Sequence, residues 1–188
     1  MRKSWGVAIG AAAVALAAFT PGVALAAPPP PPNHDTATTF AVGVAGTLQI
    51  SAPISANLSS ATPVAPGGQV VGSLGVVRVT DLRSVANGSW TASVSSSDYT
   101  TGGDTPAETI PATDLAYDPT ATLAKVSGTI HVLSSHNVAA LSSTPAATVE
   151  ASGVDGDNQV TWNPVITVSV PGTAVSGIYA GTITHSVL

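Results

Sequence analysis

Four histidines are the first residues whose chemistry could support catalysis or metal binding. They are His34, His131, His136 and His185. Zinc requires three or four ligands that converge at close spacing, and the spacing of these histidines provides no such set. The sequence therefore predicts structural or surface roles for them and no metal site. Cysteine is absent, which excludes thiolate ligands, thiol catalysis and disulfides.

A second candidate is the acidic run 154–159, VDGDNQ, which contains Asp155, Asp157 and Asn158. Three oxygen donors within four residues are typical of a calcium loop, but the D-x-D-x-D-G pattern with its distant glutamate is absent. A solvated turn that leads into a strand at Trp162 is the favoured interpretation. A calcium site would need further carboxylates brought in by the fold, and the candidates are Asp98, Asp104 and Asp118.

Catalytic motifs were sought among the serines and carboxylates. No G-x-S-x-G segment occurs, and no Ser–His–Asp order can be argued. Glycoside hydrolysis uses two carboxyl groups, but the two glutamates, Glu108 and Glu150, both fall in predicted loops. The sequence therefore predicts a non-enzymatic protein, with no catalytic residue and no cofactor.

These side chains would be positioned by β-strands, because apolar residues alternate with polar ones along much of the chain. In the segment 76–94 the pattern predicts a strand, a turn at Asn87–Gly88, and a returning strand that starts at Trp90. Trp90 shares one face with Ala92 and Val94, which favours a core position over a sugar-stacking surface. Asp81 and Arg83 point to the same side, which predicts a local ion pair stabilising the hairpin.

The same alternation predicts further strands and no helix after the N-terminal leader. Short strands separated by Gly/Pro-rich turns indicate an all-β protein, and the expected fold is an antiparallel β-sandwich that is Greek-key-like. In the last predicted strand, Tyr179, Ile183, His185 and Val187 share one face. The Tyr179 hydroxyl could stabilise a strand corner. The other strands are predicted at 40–50, 69–81, 108–110, 126–132 and 162–170.

The N-terminal residues predict export. Arg2 and Lys3 precede an apolar run and an Ala-Leu-Ala site, so residues 1–26 are interpreted as a signal peptide. An uncleaved membrane anchor is the alternative, but the apolar run is shorter than the roughly 20 residues that span a bilayer. Residues 27–39 form a proline-rich linker, interpreted as an extended spacer, and residues 40–188 form the predicted β-sandwich domain.

The charge balance restricts the partners. Charged residues make up 8% of the chain, and the formal net charge is −5. Cleavage of the leader would remove Arg2 and Lys3 and leave the chain more acidic. An acidic surface does not attract nucleic acid or anionic lipid, so we expect no nucleic-acid partner and no membrane association after cleavage.

Two stretches resemble a known family. Residues 79–83, VTDLR, followed by 88–94, GSWTASV, are similar to the first conserved block of the WxL-domain surface proteins of Gram-positive bacteria, in which a V-x-D-x-R segment precedes a tryptophan strand. Residues 177–187, GIYAGTITHSV, resemble the closing block, a G-x-Y strand ending in T-x-T-W-x-L. Ala92 stands where the family has leucine, and His185 replaces the second tryptophan.

The resemblance implies a secreted protein that associates non-covalently with peptidoglycan of the cell wall, or with other surface proteins, through both motifs. The binding residues expected on this basis are Asp81, Arg83, Trp90, Tyr179 and His185. Two alternatives stay open. The protein could be an extracellular structural subunit that assembles by edge-strand pairing, or a carbohydrate-binding module that uses exposed aromatic side chains and the Asp155–Asp157 loop.

Overall fold

The computed structural model describes residues 46–58, 63–103 and 105–188. The predicted signal peptide (1–26), the predicted linker (27–39) and the start of the first predicted strand (40–45) lie outside the described residues, as does Asp104. Within the described ranges, no helix has the length and apolar character needed to cross a membrane.

The described residues form eleven β-strands and three short 3-10 helices. The 3-10 helices are Pro106–Glu108, Ala112–Asp114 and Thr120–Thr122. The strands are β1 (Leu48–Ser51), β2 (Gln69–Ser73), β3 (Val77–Asp81), β4 (Gly88–Ser96), β5 (Tyr99–Thr100), β6 (Thr109–Ile110), β7 (Leu115–Asp118), β8 (Ala124–Ser135), β9 (Ala146–Trp162), β10 (Val165–Ser169) and β11 (Ile183–Val187).

The largest sheet is built around β9, which is 17 residues long. One edge of β9 pairs with β8. Its other edge pairs with β3 near its C-terminal end and with β4 near its N-terminal end. Outside these, β1 pairs with β3 and β11 pairs with β4, and all of these pairings are antiparallel. The sheet therefore contains six strands, all positioned directly or indirectly by β9.

The hairpin predicted at Asn87–Gly88 is wrong. In the register of the sheet, Asp81 lies opposite Asn158 and Gly88 lies opposite Val154. Because β3 and β4 are both antiparallel to β9, they run in the same direction along one edge of it. Residues 82–87 are a loop that leaves this edge and returns to it. Asn87 does adopt a positive φ of 53°, as a tight turn requires, but the loop does not reverse the direction of the chain.

The turn predicted at residues 154–159 is also wrong, because this run lies inside β9. Gly153 and Gly156 adopt φ values of 61° and 68°, and the pairing of β9 shifts register opposite this region on both sides. Glycine reaches positive φ without steric penalty, and isolated glycines in strands commonly mark bulges. The two glycines therefore bend a continuous strand instead of ending it.

A second sheet contains β2, β10 and β7, and a two-stranded sheet contains β5 and β6. The single strand predicted over 69–81 is divided at Gly75, where φ is 95°, so that β2 and β3 belong to different sheets. The last strand is shorter than predicted and begins at Ile183. The predicted all-β antiparallel fold is confirmed, and its finer description as a Greek-key-like sandwich stays a prediction.

The hydrophobic core contains residues of both larger sheets. Alternate positions of β3, β4, β7 and β10 enter it, as the period-two pattern predicted, and Trp90 and Trp162 are 2% and 1% exposed. The core interpretation of Trp90 is confirmed. The other fully buried large side chains are Tyr117, Leu115, Leu141, Ile166, Val77, Val79, Val94, Val149, Val154 and Val160.

Candidate functional site

Asp81 and Arg83 form the ion pair that their spacing predicted. Arg83 Nε donates to Asp81 Oδ1 at 2.9 Å, and Arg83 Nη2 donates to Asp81 Oδ2 at 2.9 Å. Arg83 Nη2 also donates to the Ser89 carbonyl oxygen at 2.9 Å. Asp81 is the last residue of β3 and Ser89 the second of β4. The side chain of Arg83 therefore joins the two strands across the intervening loop.

The pair extends into the core through Asn158 of β9. Asn158 lies opposite Asp81 in the ladder and is 2% exposed. Its Oδ1 accepts a hydrogen bond from Trp90 Nε1 at 3.2 Å. We call Asp81, Arg83, Trp90 and Asn158 the Asp81 network. Every buried side-chain nitrogen or oxygen in the described part of the chain has a hydrogen-bond partner, so this polar group is fully satisfied inside the core.

The electrostatics of the Asp81 network favour the charged forms of both ionic partners. Burial alone would raise the pKa of Asp81, but the hydrogen bonds from Arg83 and Asn158 outweigh it and hold the pKa below its ordinary value of 3.8. The hydrogen bond with Asp81 raises the pKa of Arg83. Asp81 is fully buried, whereas the side chain of Arg83 is 32% exposed. The network is therefore a buried carboxylate with one partly solvated cation.

The acidic residues of the run 154–159 hold the loop 82–87 against β9. Asp155 Oδ1 accepts from the backbone N–H of Asn87 at 2.8 Å, and Asp157 Oδ1 accepts from Ser84 Oγ at 2.7 Å. The hydrogen bond from Asn87 lowers the pKa of Asp155. In the described part of the chain, no group of three His, Cys, Asp or Glu side chains could hold a metal ion. The geometry supports an anchoring role for both carboxylates.

His185 belongs to a second polar group, formed with Tyr117 and Trp162. Trp162 Nε1 donates to Tyr117 Oη at 2.7 Å, and Tyr117 Oη lies 3.0 Å from His185 Nε2. The rings of Tyr117 and His185 are tilted by 57° with centroids 5.6 Å apart. Because tryptophan can only donate, the Tyr117 oxygen accepts from Trp162 and keeps its own proton for a neutral His185. We call these three residues the His185 network.

Burial favours the neutral forms of the titratable residues in the His185 network. It lowers the pKa of His185 to about 4 and raises the pKa of Tyr117 well above its ordinary value. His185 is therefore an uncharged imidazole at neutral pH. Its ring completes a hydrogen-bonded group with Tyr117 and Trp162.

Tyr179 does not join either network. Its hydroxyl oxygen lies 2.9 Å from the Val175 carbonyl oxygen and 3.0 Å from that of Ala107. The hydroxyl therefore links the segment before β11 to the 3-10 helix Pro106–Glu108. This is a corner-stabilising role of the type expected for it, although the corner lies outside a strand.

The five predicted residues thus occupy separate places in the fold. Asp81, Arg83 and Trp90 belong to the Asp81 network, and His185 belongs to the His185 network. Tyr179 lies apart from both. The two motifs are nevertheless adjacent, because β11 pairs with β4 and His185 lies opposite Val94. Tyr117 was not predicted as a functional residue, and Asn158 was considered only as an oxygen donor of a calcium loop. The only available signal for Tyr117 was its alternation with Leu115, and Asn158 was hidden in a run interpreted as a turn.

The solvent-facing side of the large sheet carries a shallow depression of about 270 Å³. It crosses β4, β9 and β8, and half of its lining residues carry hydroxyl groups. We call it the outer depression. It is lined by Ser89, Trp90, Thr91, Val132, Ser134, Glu150, Ala151 and Ser152.

Next to the outer depression, His136 Nε2 lies 3.5 Å from Glu150 Oε2. His131 Nε2 lies 3.4 Å from Asp155 Oδ2. Both pairs are well exposed, with His131 and His136 at 66% and 57%, which agrees with the surface roles predicted for these histidines.

No protein-family model, curated protein or solved structure matches the chain.

Proposed function

We propose that the protein is a secreted, non-enzymatic cell-surface protein that associates non-covalently with peptidoglycan, as its resemblance to WxL-domain proteins implies. The observation that carries this proposal is the outer depression, which lies on the strand that contains the first tryptophan motif. Ser89 and Thr91 flank Trp90 in β4 and line the depression, while the indole itself is buried. The residues that flank the tryptophan therefore lie at the surface, although the tryptophan itself does not.

The chemistry of the outer depression suits a neutral polymer of sugars and short peptides. Hydroxyl groups both donate and accept hydrogen bonds, and Ser89, Thr91, Ser134 and Ser152 supply four of them. Glu150 adds one carboxylate for amide or hydroxyl donors. A shallow, open site with several hydroxyl groups favours weak contacts repeated along a polymer over enclosure of a small molecule.

The two networks act as positioning groups in this proposal. The Asp81 network holds β3 and β4 on β9. The His185 network holds β11 against Tyr117 of β7 and Trp162 of β9. Because Arg83 binds the carbonyl of Ser89, the ion pair positions the backbone at one end of the outer depression. Asp81, Arg83, Trp90 and His185 would therefore influence wall binding through the shape of the sheet.

Three carboxylates outside the networks accept local hydrogen bonds, which supports a non-enzymatic protein. Asp98 Oδ1 accepts from the backbone of Ala112 at 2.7 Å, and Asp118 Oδ1 accepts from the backbone of Thr120 at 2.8 Å. Glu108 Oε2 accepts from Thr105 Oγ1 at 2.6 Å. These arrangements stabilise turns.

Co-sedimentation with purified peptidoglycan tests the proposal. The wild-type protein should pellet with the wall, and Ser152→Glu should reduce the pelleted fraction because it adds bulk and charge to the outer depression. Ser169→Glu is the matched control, since Ser169 is exposed on β10 in the other sheet. Failure of the wild type to pellet, or equal pelleting of both variants, would contradict the proposal. Trp90→Ala is a poor probe, because truncating a buried tryptophan costs about 3–5 kcal/mol of stability.

A second function is favoured by a different observation. The strand β8 pairs with β9 alone and leaves its other edge open among the described residues. Open strand edges accept additional strands. This feature supports the alternative of an extracellular structural subunit that assembles by strand pairing.

The carbohydrate-binding alternative, by contrast, loses two of its aromatic candidates, because Trp90 and Trp162 are buried.

A further inference from the structure

A second open depression lies at the opposite end of β4 from the outer depression. Its volume is about 300 Å³, and it is formed where β4 ends, beside the start of the 3-10 helix Ala112–Asp114 and the loop between β8 and β9. We call it the Asp98 depression. Five of its eight lining residues carry a hydroxyl group, and Asp98 carries a carboxylate. The hydroxyl groups belong to Ser96, Ser97, Thr113, Ser142 and Ser143.

The Asp98 depression presents polar groups that the protein itself leaves open. Asp98 Oδ1 accepts from the backbone N–H of Ala112 at 2.7 Å, which holds the carboxylate in place, whereas Oδ2 accepts no hydrogen bond within the described ranges. The exposed hydroxyl groups of Thr113 and Ser143 likewise make none there. A fixed carboxylate oxygen and two unengaged hydroxyl groups can therefore bind the donors and acceptors of a ligand.

The outer depression and the Asp98 depression have the same lining chemistry. Each combines several hydroxyl groups with one carboxylate, Glu150 in the first and Asp98 in the second. Among the described residues, no lysine or arginine lines either of them. Because like charges repel, the two carboxylates disfavour anionic ligands. A ligand common to both depressions should therefore be neutral and should offer hydroxyl or amide N–H groups as donors.

The strand β4 connects the two depressions along one face. Thr91 lines the outer depression and Ser97 lines the Asp98 depression. The backbone N–H of Ser97 donates to the Thr182 carbonyl oxygen at 2.9 Å, so the pairing beside β11 continues to this residue. Because an even number of positions separates Thr91 from Ser97, they share a face of the strand and are roughly 20 Å apart. Ser93 and Ser95 lie between them on this face and are half-buried.

We propose that the Asp98 depression is a second binding site for a neutral glycan, and that one glycan chain occupies both depressions along β4. This inference rests on the wall association proposed above, and it assigns binding to the sugar chains of peptidoglycan instead of its peptides. The peptides carry free carboxylates, whereas the sugar chains offer hydroxyl and N-acetyl groups. Hydroxyl and amide N–H groups of the glycan donate to Asp98 and Glu150, and its oxygens accept from the hydroxyl groups of both depressions.

Two connected sites make the affinity depend on the length of the glycan. When one chain binds both sites, the second contact is intramolecular and can raise the affinity by about 10² to 10⁴-fold. A disaccharide of N-acetylglucosamine is shorter than the separation of Thr91 and Ser97, and a hexasaccharide is longer. The wild-type protein should therefore bind the hexasaccharide at least about tenfold more tightly than the disaccharide.

Titration calorimetry with the hexasaccharide tests the second site. Ser143→Glu adds bulk and charge to the Asp98 depression and should weaken binding at least about tenfold. Ser169→Glu is the matched control, because it adds the same side chain to an exposed position of β10, and it should leave binding unchanged. Circular dichroism confirms that both variants are folded. Equal binding by Ser143→Glu and the wild type, or equal losses in both variants, would overturn the inference.

Co-sedimentation with chitin, a polymer of N-acetylglucosamine without peptides, separates this inference from the wall association. The wild-type protein should pellet with chitin and with peptidoglycan, and Ser143→Glu should pellet less with each. Pelleting with peptidoglycan but not with chitin would overturn the assignment to the sugar chains and leave the wall association standing. Pelleting with chitin but not with peptidoglycan would overturn the wall association and leave the glycan site standing. Pelleting with neither would refute both.

Discussion

Removing Arg83 isolates the energetic contribution of the Asp81 network. In Arg83→Met, Asp81 loses two side-chain hydrogen bonds and the carbonyl of Ser89 loses a third. Breaking a fully buried ion pair costs about 3–5 kcal/mol. Because the Arg83 side chain is 32% exposed, water can replace part of the interaction, and we expect a loss of about 2–3 kcal/mol near neutral pH.

The loss of stability in Arg83→Met should change with pH in a defined direction. In the wild type the pKa of Asp81 is lowered from 3.8, so the stability from its carboxylate is present above that pH and is lost as the pH falls through the native pKa. Without the Arg83 side chain, burial is opposed by fewer hydrogen bonds, so the pKa of Asp81 rises relative to the wild type. The native state of the variant then binds the extra proton, and its destabilisation disappears on acidification. The difference between the two proteins should therefore be largest near pH 7, and it should keep shrinking as the pH falls below 3.8 toward the lowered native pKa of Asp81.

Urea unfolding followed by tryptophan fluorescence measures both effects, because Trp90 and Trp162 are buried. Arg78→Met is the matched control, since Arg78 is exposed on the same strand. In the described part of the chain Arg78 makes no ion pair, and its removal should change stability by about 0.5 kcal/mol at most. Adding Asp81→Asn to Arg83→Met should recover part of the loss, because no buried charge is left unpaired. A loss in Arg83→Met that equals the control, or that does not vary with pH, would refute the reasoning.

Three further changes probe the rest of the fold. The pKa of His185 is lowered to about 4, so between about pH 6.5 and pH 4 the unfolded state binds more protons than the native state. Wild-type stability should therefore drop by up to about 3 kcal/mol as the pH falls through this range. His185→Leu should abolish this pH dependence, measured by urea unfolding. Trp162→Phe removes the donor to Tyr117 and should cost about 1–2 kcal/mol, measured by thermal unfolding, and no change would show that the hydrogen bond is unimportant. Gly153→Ala places a side chain at a φ of 61° and should cost at least about 1 kcal/mol, whereas Gly172→Ala, with open space around it, should be nearly neutral.

The sequence alone predicted the features that depend on residues close together in the chain. The two-residue spacing of Asp81 and Arg83 predicted their ion pair, because alternate side chains of an extended segment share a face. The shared face of Trp90, Ala92 and Val94 predicted burial, and the structure places all three in the core. Both predictions depend only on local geometry, which a strand enforces regardless of its partners.

The sequence was insufficient where distant segments decide the outcome. Asn87–Gly88 has the composition of a hairpin turn, but Asp155 holds the backbone of Asn87 from 68 positions away, and both flanking strands pair with β9. The run at 154–159 has the composition of a turn as well, yet partners on both edges keep it in a strand. Neither segment contains a local signal that points to the other. The hydrogen bond between Trp90 and Asn158 could therefore not be predicted from the sequence.

The central position of β9 has a consequence for the order in which the protein folds. The pairing of β9 with β8 joins neighbours in the chain, whereas β4, which contains Trp90, pairs only with β9 and β11. Closing a long loop precedes any gain from the contacts it brings together. The β8–β9 hairpin is therefore the natural nucleus. β4 must remain unpaired with β9 until residues 146–154 have been synthesised, and β3 until Trp162 has been synthesised. A nascent chain that ends before β9 would present these strands to chaperones or to aggregation.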